Sequence, residues 1–517
     1  MKIGLFFGAG AELGYGLPSG GKFAIDLFRE DPSKFKTSLR ALLKNLDSQS
    51  SYANNWLPPG YADKSIYAFG RNEFTSIIES SIEYNRDKII KRLNSFDQEC
   101  DQIIQELGIS RKVIEKKFNE LTKYTFGERP YTHVIRLNEL LARDVKLFES
   151  EYYSGMLDLI RTDEPSDDLR RYVTSFLQLL VGAHGQSLVQ RLNQELFEAA
   201  PDDLPIFDDI SGLFKLEFNR VGSTALELLL EEQRSFVIDD NATAITIFCA
   251  IAQKFLENLF TSVLDYQKLI DDHFRYLFSP KTEWAKFTRM VIFLNIARDY
   301  ISTQAPDISK INPSGYYHDL SSSTSELEIS VVGTANYNNI LTQVAESIGL
   351  SLPPVQHLNG STSDYYNPYK NNVITLNSSE SVPQDQIHVP FILTQSGIKP
   401  LTSVTMSRRY VQLFDAYKDS DAIVVVGFGF NKDDSHINGL FRELIETEGK
   451  TLYWVNRDQD GSAQDQQRSL LKKLRLSQSY RHLVKVVPVN SDSRMIDNKL
   501  WVDYVITDLK VANHDEA

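Results

Sequence analysis

Strand-like patterns occur at both ends of the chain, and helical patterns fill the part between them. Residues 3–7 form a continuous apolar run before a glycine loop, and an amphipathic stretch through Phe23 and Phe28 follows the loop. This order predicts a strand, a turn and a helix. Between about Phe74 and Ser302, apolar residues recur at spacings of three and four, which predicts a large helical block.

After Leu327 the pattern changes to short apolar strands that are separated by polar turns and helical stretches. Continuous apolar strands are typical of parallel sheets that are buried on both faces. Because strands and helices alternate here, the sequence predicts an α/β fold with a Rossmann-like, doubly wound parallel sheet. The predicted strands span residues 329–332, 373–376, 422–426, 451–455 and 483–487, the predicted helices 340–348, 407–417 and 437–448, and the predicted loops 307–325 and 360–371.

The first strand belongs to the sheet that the later strands build, so the sheet-forming domain is discontinuous. We predict that residues 1–60 and 305–517 form this domain and that residues 61–304 form an inserted, all-helical domain. The insertion either packs only against itself or offers a surface for oligomerisation or for a partner.

The composition predicts a soluble protein of a reducing compartment. The 517 residues are 42% hydrophobic and 24% charged, and no stretch approaches the roughly 18 unbroken apolar residues of a membrane span. The N-terminal apolar run meets Gly-Ala-Gly instead of a small-residue cleavage site, which predicts a strand and not a signal peptide. Cys100 and Cys249 are far apart in the sequence, which favours neither a disulfide nor a metal site. We expect a cytoplasmic protein without a metal and without membrane contact.

The charge balance argues against nucleic-acid partners. The formal charge of −14 comes from 55 Lys and Arg against 69 Asp and Glu. Sequence-independent binding to a phosphate backbone needs a basic surface. Direct binding to nucleic acid is therefore not expected.

A glycine loop follows the first strand and precedes a helix. Its sequence is Gly8-Ala9-Gly10-Ala11-Glu12. Glycines at such a place allow positive φ angles and bring backbone N–H groups close to a pyrophosphate at a helix N-terminus. A glycine turn that joins strand to helix without any ligand is the alternative.

The loop continues through Gly14, Gly16 and Pro18, and four later segments complete a pattern. They are Thr334-Ala335-Asn336-Tyr337-Asn338, Leu358-Asn359-Gly360-Ser361, residues 423–438 (IVVVGFGFNKDDSHIN) and Trp454-Val455-Asn456-Arg457-Asp458. Together these segments resemble the NAD-binding motifs of the sirtuin-like domains found in bacterial anti-phage proteins. The resemblance covers about residues 1–30 and 327–489 and leaves the helical block unmatched.

The resemblance implies an NAD site at the ends of these strands. Asn336 would orient a water molecule next to the nicotinamide ribose and is the first candidate for catalysis, with a turn-stabilising Asn as the alternative. Gly427 and Gly429 would let a nucleotide approach closely, or simply form a tight turn, and His436 is interpreted as part of a polar helix N-cap region. The implied NAD-binding residues are Gly8, Ala9, Gly10, Glu12, Pro18, Thr334, Asn336, Tyr337, Asn359, Gly360, Gly427, Gly429 and Asn456.

Two titratable residues of the family pattern are replaced by amides. Asn359 stands where the family has the histidine that acts as general base, and Asn338 stands where it has an acidic residue. A side-chain amide does not accept a proton at neutral pH. If residues 357–359 are extended, His357 and Asn359 share a face, which makes His357 the second candidate for catalysis. A lone, hydrogen-bonded histidine is the alternative.

The resemblance implies NAD as a substrate that is cleaved to nicotinamide and ADP-ribose. Protein-deacylating sirtuins carry a four-cysteine zinc module, which two distant cysteines do not supply. The implied role is the effector of an anti-phage system that causes abortive infection, either as a homo-oligomer or together with a HerA-type hexameric ATPase. The alternatives are a sensor that binds NAD or ADP-ribose without cleaving it, which Asn338 and Asn359 favour, and a structural scaffold with an idle glycine loop.

Overall fold

The chain is an α/β protein with a six-stranded parallel sheet and many helices in its N-terminal half. The structure, a computed structural model, describes residues 1–17, 20–128, 136–137, 145–191, 197–199, 223–231, 236–239, 241–264, 275–307, 314–323, 327–377, 379–392, 403–457, 462–490 and 492–515. Pro18, one of the predicted NAD-binding residues, lies outside these ranges.

Nine strands form the two larger sheets, and the α-helices of the described ranges are numbered separately. The strands are β1 (Lys2–Phe7), β2 (Glu328–Thr334), β3 (Val355–His357), β4 (Gly360–Asn367), β5 (Asn372–Thr375), β6 (Val389–Ile392), β7 (Ala422–Val426), β8 (Thr451–Arg457) and β9 (Val484–Val489). The helices are α1 (Gly20–Arg29), α2 (Ser33–Asn45), α3 (Ser51–Trp56), α4 (Arg71–Tyr84), α5 (Arg86–Asn94), α6 (Phe96–Glu106), α7 (Arg111–Thr122), α8 (Glu151–Ile160), α9 (Asp167–Arg191), α10 (Ser223–Leu230), α11 (Ala244–Val263), α12 (Trp284–Gln304), α13 (Tyr316–Asp319), α14 (Ile340–Ser347), α15 (Val404–Lys418), α16 (Ser435–Glu446), α17 (Ala463–Leu474) and α18 (Trp501–Asp515).

Both ends of the chain contribute to the parallel sheet. Its order is β9-β8-β7-β1-β2-β3, so the N-terminal strand lies in the middle, between strands that follow residue 327. With the antiparallel strands β4–β6 set aside, this is the order of a Rossmann-type sheet, with which the structure is consistent. The connection reverses direction between β1 and β7, and in such sheets ligands bind beyond the carboxyl ends of the strands at that point.

Side chains of the parallel sheet alternate between two separate cores, because successive residues of a strand point to opposite faces. Leu5 and Phe7 pack on the face that α14 and α18 cover, together with Trp501. Phe6 packs on the opposite face, where α15, α16 and α17 supply residues such as Phe441. Helices therefore cover both faces, and the sheet holds the strand ends in fixed positions.

A second sheet is antiparallel and has the order β5-β4-β6. Two sequence predictions are wrong here: residues 360–371, predicted as a loop, contain β4, and residues 373–376, predicted for the parallel sheet, overlap β5. The strand that pairs with β2 at the edge of the parallel sheet is instead β3. The described part of the predicted loop 307–325 contains α13 and a 3-10 helix at Leu320–Ser323.

The chain divides into two compact units. The first comprises Met1–Ser19, Glu30–Ala68 and Gln267–Ala517, and the second comprises Gly20–Arg29 and Phe69–Tyr266. These bounds differ from the predicted domain bounds, because α1 clusters with the second unit and residues 267–304 cluster with the first. In its described part, the second unit is helical apart from a short antiparallel strand pair, Arg136–Leu137 with Phe197–Ala199.

Helix α11 lies in the core of the second unit. Phe248, Ile251 and Phe255 are fully buried, and the ring centroids of Phe96 and Phe255 are 4.3 Å apart. The helix is long and apolar enough to cross a membrane, but 67% of its most apolar window is buried inside the protein, which is typical of a core helix. Both cysteines are buried thiols in this core.

Candidate functional site

The glycine loop after β1 lies directly against the loop after β7. The Gly10 N–H donates a hydrogen bond to the Gly427 carbonyl (2.8 Å). A Cβ on Gly10 would lie 2.8 Å from the same carbonyl oxygen, and one on Gly8 would lie 2.6 Å from Phe428 Cα. Gly427 has a φ of +64°, and a Cβ there would overlap the backbone of the glycine loop. Close packing of two loops thus requires these three glycines whether or not a nucleotide binds.

Most of the N–H groups in the glycine loop are already used by the protein. Those of Gly8, Gly10, Ala11 and Glu12 donate to backbone carbonyls at 2.8–3.0 Å. Among the described residues, the Ala9 N–H has no such partner, and Ala9 is exposed. Of this loop, Ala9 is therefore the amide best placed to meet an anion such as a pyrophosphate.

The Glu12 side chain lies at the centre of a buried polar cluster. Its Oε1 accepts a hydrogen bond from the Tyr317 hydroxyl (2.9 Å), and its Oε2 accepts one from the Asn338 amide (2.7 Å). Burial raises the pKa of the Glu12 carboxyl to about 7, although the hydrogen bonds from Asn338, Tyr317 and Asn336 lower it. Glu12 is thus an acid that titrates near neutrality within the protein interior.

Asn336 follows the carboxyl end of β2 and is held from several directions. Its backbone N–H donates to the Thr334 hydroxyl (3.0 Å), which in turn donates to the Phe7 carbonyl at the end of β1. Its Nδ2 donates to the Gly8 carbonyl (3.2 Å) and to the Tyr317 hydroxyl (3.3 Å). A carbonyl oxygen only accepts, so the nitrogen must face Gly8 and the amide orientation is determined. Within the described ranges no donor reaches Oδ1, which is the acceptor that remains for a ligand.

His357 ends β3, beside Thr334 of β2. Its Nδ1 lies 2.8 Å from the Asn336 carbonyl oxygen. Because a carbonyl accepts, Nδ1 carries the hydrogen, and Nε2 of the neutral ring is a proton acceptor without a partner among the described residues. Burial lowers the pKa of the imidazole, while the hydrogen bond to Asn336 and the Asp364 carboxylate raise it, so the ring is neutral at neutral pH.

The turn after β3 brings Asn359 to the backbone segment after β2 that carries Asn336. Its Nδ2 donates to the Ala335 carbonyl (3.2 Å), and its Oδ1 lies 3.3 Å from His436 Nε2 in the first turn of α16. Gly360 has a φ of +80°, and a Cβ there would overlap the Phe391 carbonyl. His436 therefore contacts a candidate residue, which its place in a helix N-terminal region did not predict.

The remaining predicted residues with described contacts are Tyr337, Asn456 and Gly429. The Tyr337 carbonyl accepts from the backbone N–H of Thr362 (2.8 Å). Asn456 is partly buried near the end of β8, two strands away from β1. Gly429 has room for a Cβ, whose nearest neighbour would be the Asn431 side chain at 3.4 Å.

Sequence reasoning missed three residues that hold the site. Tyr317 lies on α13, in a stretch predicted as a loop, and no motif includes it. Arg409 donates to the His357 carbonyl (3.2 Å) and forms an ion pair with Asp364 (2.7 Å), whose side chain is 1% exposed. Burial raises the pKa of Asp364, but the Arg409 guanidinium and the hydrogen bonds from Thr375 and Ser361 together lower it further, so the net pKa is lowered. An isolated Arg and an isolated Asp, 45 positions apart, give no signal in the sequence.

The described residues contain no group of three or more His, Cys, Asp or Glu side chains that could hold a metal ion. Neither a protein-family model nor a curated protein matches this chain. The geometry of the site is therefore the main guide to its chemistry.

Proposed function

We propose that the chain is a sirtuin-like NAD glycohydrolase whose active site lies where β1, β2 and β3 end. In this proposal the Rossmann-type sheet is the NAD-binding domain and NAD is the substrate. NAD and water give nicotinamide, ADP-ribose and a proton.

The observation that carries this proposal is the meeting of Asn336 and His357 at the carboxyl ends of β2 and β3. Both candidates were chosen from the sequence, where they are 21 positions apart, and in the structure they are hydrogen-bonded to each other. Each leaves one acceptor for a ligand, Oδ1 of Asn336 and Nε2 of His357. An acceptor that orients a water molecule and a base that takes its proton would together assist the attack of water on a ribosyl carbon.

The roles of the two acceptors follow from their chemistry. Asn336 Oδ1 accepts a hydrogen bond from the attacking water and so directs its oxygen lone pair toward the anomeric carbon. The bond from that carbon to the nicotinamide nitrogen breaks, and the bond to the water oxygen forms. His357 Nε2 takes the proton that the water or a ribose hydroxyl loses. A general base of this kind contributes roughly 10²–10⁴-fold to a rate.

The experiment that tests the proposal measures nicotinamide and ADP-ribose by chromatography after incubation of the purified chain with excess NAD. We expect release by the wild type, only trace release by Asn336→Ala, and a fall of roughly 10²-fold or more for His357→Ala. Thermal denaturation shows whether each variant is folded. Release by Asn336→Ala at the wild-type rate would show that the assignment of Asn336 is wrong.

A second candidate function is a sensor that binds NAD or ADP-ribose without cleaving it. The observation in its favour is that the two amides that replace titratable residues have structural partners: Asn338 donates to Glu12, and Asn359 donates to the Ala335 carbonyl. This candidate predicts saturable NAD binding with no nicotinamide release, also when a partner is present. Release that disappears with Asn336→Ala would exclude it.

The proposed setting is the cytoplasm of a bacterium, in which the chain is the effector of an anti-phage system. Depletion of NAD arrests or kills a cell, so the activity requires control. We propose that the second unit provides it, through assembly with further copies of the chain or with a HerA-type ATPase. Nicotinamide release measured with and without such an ATPase tests this, and equal release by a monomeric chain would argue against control by assembly.

A further inference from the structure

The Asn336 amide is the end of a chain of hydrogen bonds that begins at Glu12. Asn338 donates to one oxygen of the Glu12 carboxyl group, and the Tyr317 hydroxyl donates to the other. The same hydroxyl accepts from Asn336 Nδ2 at 3.3 Å. Tyr317 thus links the carboxyl group to the candidate catalytic amide, and all four side chains belong to the first unit.

The direction of these hydrogen bonds depends on the charge of Glu12. Asn338 Oδ1 accepts from the Ile340 backbone N–H, so its nitrogen faces Glu12 and can only donate. A carboxylate accepts from both Asn338 and Tyr317, which leaves the tyrosine oxygen as the acceptor for Asn336. A protonated carboxyl group has one oxygen that carries a hydrogen. In the contact with Tyr317, this hydrogen and the hydroxyl hydrogen of Tyr317 would compete for the same space between the two oxygens. The ionised form therefore holds Asn336 in the orientation described above.

The rings around Tyr317 leave it little freedom. It packs edge-on against Phe7 at 5.0 Å and stacks on Tyr15 at 5.2 Å between ring centroids. The Tyr15 hydroxyl accepts from the Tyr317 backbone N–H (3.1 Å) and bonds to Nδ1 of His318 (3.0 Å). The ring is fixed by packing and its hydroxyl by Glu12, so its contact with Asn336 is preorganised.

We propose that Glu12 and Tyr317 are positioning residues that orient the Asn336 amide for NAD hydrolysis. The inference rests on the proposed function. Neither residue needs to touch the reacting atoms, since both act through Asn336. In the described ranges the titratable group in contact with Glu12 is Tyr317, and Tyr15 with its partner His318 lies behind that ring.

A double-mutant cycle tests the route of action. Tyr317→Phe retains the ring and removes the hydroxyl, and we expect it to lower kcat by roughly tenfold or more while KM changes little. In an Asn336→Ala background the same substitution should have no further effect on NAD affinity or on residual turnover, because its target is gone. Tyr316→Phe is the matched control and should behave like the wild type. Tyr316 directly precedes Tyr317, and its ring centroid lies 6.2 Å from that of Trp501.

The pH profile separates positioning from a general loss of stability. Wild-type kcat should rise as Glu12 ionises around pH 7, and Glu12→Gln should lower kcat and flatten this rise, whereas mere destabilisation would lower the rate by a similar factor at every pH. Additive losses in the cycle, or an unchanged profile in Glu12→Gln, would overturn this inference and leave the proposed function intact. A wild type that neither binds nor cleaves NAD would overturn both.

Discussion

Glu12 shows at the scale of one residue how burial changes an acid. Its carboxyl pKa is raised from 4.5 to about 7, and no cation is among the causes of that shift. The folded state therefore binds its proton more tightly than the unfolded state, and stability falls as the pH rises from about 4.5 to about 7. At 1.36 kcal/mol per pKa unit, the cost of ionisation is about 3 kcal/mol.

Glu12→Gln removes this cost. We expect the variant to be more stable than the wild type at pH 8, and the difference to be smaller by about 3 kcal/mol at pH 4, where the wild-type residue is protonated in both states. Urea denaturation at the two pH values measures it. A difference that does not depend on pH would mean that Glu12 keeps an ordinary pKa.

The two glycines after β7 have different reasons to be glycine. Gly427 combines a positive φ with contact to the glycine loop, whereas Gly429 has room for a Cβ. We expect Gly427→Ala to destabilise the protein by about 2–4 kcal/mol through strain and overpacking, and Gly429→Ala to change its stability little. Thermal denaturation without any ligand tests this, and equal effects of the two substitutions would contradict it.

The same geometry limits what a glycine substitution says about function. A valine at Gly10 would press on the Gly427 carbonyl even if the loop never met a nucleotide. Loss of activity in such a variant therefore does not distinguish an NAD site from a scaffold. Asn336 and His357 are better test positions, since alanine at either position removes polar atoms and inserts nothing between the two loops.

Five strands of the parallel sheet could be predicted from sequence, because they are continuous apolar runs that need no knowledge of their neighbours. The edge strand β3, with the sequence Val-Gln-His, could not. β4 could not, since its sequence of Ser, Thr, Asp, Tyr and Asn is typical of a loop. Its polar side chains are satisfied by distant partners: Asp364 by Arg409 and by Thr375 of β5. Likewise Asn336 and His357 were found through motifs, whereas Tyr317 and Arg409 act through contacts that only the fold creates.

The ion pair of Arg409 with Asp364 joins helix α15 to strand β4, and the same guanidinium donates to the His357 carbonyl. Removal of one partner leaves a buried charge, which costs about 3–5 kcal/mol. We expect Arg409→Met to destabilise the protein by this amount and to reduce NAD turnover, because the His357 segment loses its support. Urea denaturation and nicotinamide release measure the two effects.

Arg408→Met is the matched control for this pair, since Arg408 is exposed on the same helix. It should change neither stability nor turnover. Adding Asp364→Leu to Arg409→Met should recover part of the lost stability, because the unpaired carboxylate is then gone. If Arg408→Met were as damaging as Arg409→Met, the ion pair would not be the cause.

At the scale of the whole molecule, the two compact units carry different natural probes. All four tryptophans, Trp56, Trp284, Trp454 and Trp501, lie in the first unit, and both cysteines lie buried in the second. Tryptophan fluorescence therefore reports unfolding of the unit with the sheet. The reaction of thiols with a coloured reagent reports unfolding of the helical unit. One urea titration can follow both units without any substitution.

NAD should stabilise the first unit selectively if the site at β1, β2 and β3 binds it. At a free concentration of 100 times Kd, a ligand adds about 2.7 kcal/mol to the state that binds it. The Asn336→Ala variant is used because it should bind NAD with almost no turnover. We expect NAD to raise the urea midpoint of its tryptophan fluorescence. The urea midpoint of the thiol reaction should rise only as far as the two units unfold together. A tryptophan midpoint that does not move at saturating NAD would contradict binding to the folded sheet, and with it the proposed function.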